Sequence, residues 1–113
     1  MSDTDPASVA NRYFEAIRAH DVEGIKAVFA EDAELVNAAG TVTGRDAIAD
    51  FYATTAFTLD DLSPSPGPFV VAGDRLAVEI TLQMAGSTHR VADFFEIRDG
   101  LVQRLVIYMM PGG

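Results

Sequence analysis

Apolar residues recur every three or four positions through the first half of the chain and every second position through most of the second. Between Pro6 and His20, the positions Val9, Tyr13, Ala16 and Ile17 form one stripe, which predicts an amphipathic helix. Asp21 is placed to cap a second helix, whose stripe is Val22, Ile25, Val28 and Phe29. The short segment AELVN follows; as a strand it puts Ala33, Leu35 and Asn37 on one face. Thr43 stands three residues ahead of Asp46, a variant of the capping box. It opens a third predicted helix carrying Ile48, Phe51, Tyr52 and Thr55.

The stretch SPSPGP at 63–68 breaks any helix and reads as a loop rather than a domain boundary. Beyond it lies FVVA, and then RLAVEITLQM alternates, with Leu76, Val78, Ile80, Leu82 and Met84 on one face. AGS marks a turn into RVADFFEIR, and Asp99-Gly100 is a two-residue hairpin signal. The last strand, LVQRLVIYMM, is apolar on both faces at its end, which suggests deep burial or a pocket wall. Helices followed by hairpin-connected strands predict an α+β domain. Three N-terminal helices would pack on a curved antiparallel sheet, with residues 1–113 forming a single unit.

Composition narrows the function. The 113 residues include no cysteine, which excludes disulfides, thiol nucleophiles and thiolate metal sites. The two histidines, His20 and His89, lack metal-ligand spacing, so no metal is expected. A net charge of −9 and a pI of about 4.4 disfavour nucleic acid and anionic membranes as partners. No apolar run reaches the roughly 20 residues of a membrane span. The start, MSDTDPASVA, lacks signal-peptide character, so a soluble cytoplasmic protein is the expectation. No phosphate-binding glycine loop or nucleophile elbow occurs, and no cofactor is expected. A neutral or apolar small molecule fits this profile best.

One residue breaks the strand pattern. Val91, Asp93, Phe95 and Ile97 share a face, and Asp93 is a carboxylic acid among residues bound for a core. Such an acid either pairs, with Arg90 or Arg104 as the nearby candidates, or stays protonated as a hydrogen-bond donor in an apolar pocket. Tyr13, in the first helix's stripe, reads as a core tyrosine with one satisfied hydroxyl. Asn37, just before Ala-Ala-Gly, reads as a turn former. His20, near a helix C-terminus, and His89, at a strand start, read as surface residues. Asp60-Asp61 reads as a solvated loop edge, and Arg45 is too weak a signal for phosphate binding.

The stretches NRYFEAI around Tyr13, HDVEGIKAVFAEDAELV leading to position 37, GRDAIADFYA around Tyr52 and RVADFFEI around Asp93 carry a resemblance. From about residue 8 to 110 the chain resembles the ketosteroid isomerases. These belong to the SnoaL-like superfamily of cone-shaped α+β folds related to nuclear transport factor 2. The resemblance implies an isomerase that moves a steroid double bond from β,γ to α,β conjugation with a 3-ketone through a dienolate. Tyr13 and a protonated Asp93 match the two donors that hold the dienolate oxygen, and Tyr52 matches a tyrosine that supports the first. Phe29 stands where some members have a third tyrosine. Phe51, Met84, Phe95 and Met109 match substrate-lining positions, and a homodimer is implied.

The family's general base aligns with Asn37. A carboxamide cannot shuttle a proton. That departure leaves three readings: a base-to-amide variant of the isomerase, a protein that only binds a steroid or polyketide, or a different enzyme of the same fold, such as a polyketide cyclase or an epoxide hydrolase. Glu34 does not replace the base, because it belongs to the opposite strand face.

Overall fold

Two aspartates set the first helices. The side chain of Asp5 accepts from the Ser8 amide at 3.3 Å and that of Asp21 from the Gly24 amide at 3.0 Å. In the computed structural model, which describes residues 4–110, helix α1 spans Pro6–Ala19 and α2 spans Val22–Val28. His20 ends α1 in the left-handed region, at φ 52°. Rather than standing free in solvent, its ring is half-buried and stacks on Phe57, with centroids 5.1 Å apart.

Strand β1 begins at Phe29 and runs to Asn37, so Phe29 belongs to the sheet and not to the second helix. A bulge between Phe29 and Glu34 resets the alternation, which lets Phe29, Ala30, Ala33 and Leu35 all reach the core. A tight turn leads to β2 (Gly40–Thr43) and then α3 (Arg45–Thr54). The expected capping box is not formed: Gly44 is the N-cap, and no side chain caps the helix. Gly44 adopts φ 96°, a conformation open to glycine, and its amide donates to the Ala33 carbonyl at 2.8 Å. A main-chain tie to β1 thus substitutes for the side-chain cap.

After a 3₁₀ turn at Ala56–Thr58, the chain forms β3 (Ser63–Pro66), β4 (Val70–Ala72), β5 (Arg75–Met84), β6 (Ser87–Arg98) and β7 (Leu101–Met109). The proline-rich stretch read as a loop therefore contains a strand. It pairs with β5 alone, at the end of the order β2-β1-β7-β6-β5-β3. Proline is tolerated there because an edge strand need not donate on its open side. Both hairpin turns form as expected, with Ala85-Gly86 and Asp99-Gly100 at positive φ. Asp61 is not a free loop carboxylate: it accepts from the amides of Ala85 at 3.0 Å and Gly86 at 2.7 Å, which lowers its pKa.

The sheet is mixed rather than wholly antiparallel. β1 runs parallel to β7, with Leu35 opposite Leu105 and Val36 opposite Val106, while the other pairings are antiparallel. The helices cover one face, where Leu35, Leu76, Val78, Ile97 and Leu105 are buried. The opposite face carries the ion pairs Arg90–Glu79 and Arg104–Glu34, and Phe94 and Tyr108 are exposed there. The chain's last apolar stretch is not deeply buried, since Tyr108 is 61% and Met110 65% exposed, but its Ile107 and Met109 form part of a pocket wall. Among the described residues no helix is long and apolar enough to cross a membrane.

Leu35 is fully buried at the junction of the helical layer and the sheet. Leu35→Ala is expected to cost about 2–5 kcal/mol. Urea unfolding would show a lower midpoint at an unchanged slope.

Candidate functional site

Between the inner face of the sheet and the helices lies a cavity of about 490 Å³, in the size range of small-molecule sites. α1 supplies Tyr13, Phe14 and Ile17; α3 and the residues after it supply Phe51, Tyr52, Thr55 and Ala56. Leu59, Leu62 and Pro64 close one side. The sheet supplies Asn37, Ile80, Leu82, Met84 and Val91, together with Asp93, Ile107 and Met109. The walls are almost wholly apolar, so the few polar atoms that reach the cavity decide its chemistry.

Asp93 is 3% exposed and sits mid-strand on β6. Its cross-strand partners are Val78 on β5 and Ile107 on β7, and Val91 and Phe95 flank it on the same face. Neither arginine weighed as its partner reaches it, because Arg90 pairs with Glu79 and Arg104 with Glu34 on the opposite face. Its Oδ1 is buried without a hydrogen-bond partner among the described residues. Burial with no compensating cation pushes its pKa up to about 8. At neutral pH the group is therefore chiefly the neutral acid, a donor as well as an acceptor.

Tyr13 is held from several sides. Its ring meets Phe14, Phe29 and Phe95 edge-on, at centroid distances of 5.1, 6.0 and 5.4 Å. Its hydroxyl lies 2.5 Å from that of Tyr52. When Tyr52 donates, Tyr13 keeps its own proton for an oxygen in the cavity. Burial raises the pKa of Tyr13 well above the usual phenol value, and the proximity of Tyr52 and Asp93 raises it further. Burial likewise raises that of Tyr52. Both phenols stay protonated across the physiological range.

Asn37, at the end of β1, is divided between two tasks. Its Oδ1 accepts from the Ala39 amide at 2.8 Å, the turn expected from sequence. Its Nδ2 is buried and has no partner among the described residues.

Of the expected lining residues, Phe51, Met84 and Met109 do line the cavity. Phe95 does not: it is 2% exposed and packs behind Tyr13 and Phe14 as support. No arginine and no second carboxylate lines the cavity, so the Asp-Arg-Asp arrangement of an epoxide hydrolase is not found among the described residues. Nor do the described residues contain a cluster of three or more His, Cys, Asp or Glu side chains suited to a metal. Leu59, Leu62 and Pro64 escaped sequence reasoning. They follow no regular period, and only the folding of their segment against α1 and β5 brings them to the wall.

The SnoaL-like domain model matches residues 10–105 of the chain. No curated protein matches the sequence closely enough to identify a relative. Several solved structures share the fold. A protein from Sinorhizobium meliloti described as a candidate polyketide cyclase superposes with a TM-score of 0.83 at 24% identity, covering 96% of this chain and 100% of its own. A candidate ketosteroid isomerase from Kribbella flavida superposes with a TM-score of 0.84 at 23% identity, covering 100% and 84% respectively. A nuclear-transport-factor-2-like protein of unknown function from Cytophaga hutchinsonii gives a TM-score of 0.83 at 12% identity, covering 97% and 94%. At these identities the likeness is one of fold.

The raised pKa of Asp93 links stability to pH. The folded state holds the proton up to about pH 8, whereas the unfolded chain releases it near the ordinary aspartate value of 3.8. Stability from this group is fully present below the lower value and declines through the interval, by up to about 1.4 kcal/mol per pH unit. Asp93→Asn is expected to flatten that decline. Denaturation midpoints of both proteins between pH 5 and 8 check it, and parallel slopes would contradict a buried, proton-holding Asp93.

Proposed function

This chain belongs to the SnoaL-like domain family, and from that premise we propose that it binds an apolar ketone and stabilises its enol or dienolate form. The framework is that of a steroid Δ5-3-ketone isomerase, with Asn37 at the general-base position. The observation that carries the reading is Asp93, a neutral acid in an apolar cavity it shares with Tyr13. Negative charge developing on a ketone oxygen is stabilised by donors already aimed at it in a water-poor site. Tyr13 and protonated Asp93 supply two such donors, and Tyr52 supports the first. The same ligand chemistry suits a steroid or a polyketide ketone, in keeping with the isomerase and cyclase descriptions of two structural neighbours.

Isomerisation requires a base that takes a proton from the carbon between ketone and alkene and returns it two carbons further on. A carboxamide has no such capacity. Double-bond transfer is therefore impaired in this chain, while enolate binding is retained. A second reading, a protein that binds the ketone without turning it over, is favoured by the same amide.

Asn37→Asp is expected to raise turnover of 5-androstenedione by about 10²–10⁴-fold, the range of a positioned general base. The rise in absorbance of the conjugated enone follows it directly. Steroid binding without any gain in rate would select the binding protein. Separately, Tyr13→Phe and Asp93→Leu should each weaken binding of 2-naphthol, a phenol that mimics the enol, by about 10–100-fold, as loss of a hydrogen bond to a charge-bearing oxygen does. Unchanged affinity in both variants would remove the donor pair from the proposal.

A further inference from the structure

Two polar atoms of the cavity are buried without partners, and they belong to different strands: Oδ1 of Asp93 and Nδ2 of Asn37. Their relative position follows from the register. Val36 on β1 lies opposite Val106 on β7, so Asn37 comes level with Ile107 one residue further on. Ile107 is in turn the cross-strand partner of Asp93 on β6. Asn37, Ile107 and Asp93 thus form a row across three adjacent strands, and all of them line the cavity.

Strand spacing puts the Cα atoms at the ends of that row about 10 Å apart. Both side chains rise from the cavity face of the sheet, so a ligand lying over Ile107 can meet Oδ1 of Asp93 at one end and Nδ2 of Asn37 at the other. The amide is not free to turn away, because its Oδ1 is committed to the Ala39 amide. That bond orients Nδ2 as the donor. A buried amide hydrogen left unmatched costs about 1–3 kcal/mol, so a ligand that supplies an acceptor there is favoured over one that does not.

We infer that Asn37 is a specificity-determining donor, and that the ligand is an apolar compound carrying a second oxygen besides the one held at Tyr13 and Asp93. The inference rests on the enol-binding reading above and deepens it. A ligand with two oxygens on one flat apolar frame, such as a dihydroxy aromatic, bridges the row. One oxygen meets Tyr13 and Asp93, and the other accepts from Nδ2 of Asn37. At this position the family's base is replaced by a group that recognises a substituent.

The test compares dissociation constants of 2-naphthol, 1,3-dihydroxynaphthalene and 2,6-dihydroxynaphthalene, measured anaerobically by calorimetry. In the unaltered protein at least one of the two dihydroxy compounds is expected to bind about tenfold more tightly than 2-naphthol, the worth of one net hydrogen bond. Which of the two gains reports the separation of the two oxygens. Asn37→Leu removes the donor, and Asn37→Asp removes it while keeping the acceptor that the Ala39 amide requires. In both, the preference for that compound over 2-naphthol should fall to about onefold. No preference in the unaltered protein, or a preference that survives both substitutions, overturns the role of Asn37 while 2-naphthol binding through Tyr13 still stands. Failure of all three compounds to bind overturns the enol-binding reading and this inference with it.

Discussion

The burial of one carboxyl group without a counter-charge governs the character of this site. Asp93 is surrounded by Val78, Ile107, Val91 and Phe95, and Arg90 and Arg104 are drawn to glutamates on the other face of the sheet. Removing water from an ionised carboxylate without supplying a cation is so unfavourable that the group keeps its proton instead. The same apolar surroundings hold Tyr13 and Tyr52 in their phenol forms. A protein with a net charge of −9 thus encloses an apolar cavity whose few polar groups are neutral.

The donors have chemical value because they are held in place. Tyr13 has phenylalanine rings against its edges and faces, and its hydroxyl is tied to Tyr52. Asp93 is fixed mid-strand between two paired neighbours, and Asn37 by the turn its own oxygen closes. Donors positioned in advance need not reorganise when charge develops, which is where a preorganised site gains over water. Asp61 contributes at a distance, by closing the β5–β6 turn through two main-chain amides.

Much of this was legible in the chain, and the misses share a cause. Asp21 as a cap, the turns at Ala85-Gly86 and Asp99-Gly100, and the alternation around Asp93 are local features. They depend on residues a few positions apart. The strand at Ser63–Pro66 was hidden because its prolines argue against a ladder, and only its place at the sheet's edge makes them acceptable. The parallel pairing of β1 with β7 joins segments separated by most of the chain, so no turn signal announces it. Phe95 has the polarity and strand position of a wall residue, yet the ring of Tyr13 stands over it.

The sequence by itself determined that Asp93 shares a face with Val91, Phe95 and Ile97, because alternation is a property of extended backbone that needs no knowledge of neighbours. It also determined that Asn37 could close a turn and could not act as a base, since both follow from the side chain's own chemistry. Only the tertiary structure decided that no cation among the described residues pairs with Asp93, that Tyr13 meets Tyr52, and that Nδ2 of Asn37 has no partner among those residues. Solvation and pairing are set by whichever elements come to cover a face, and those elements lie far away along the chain.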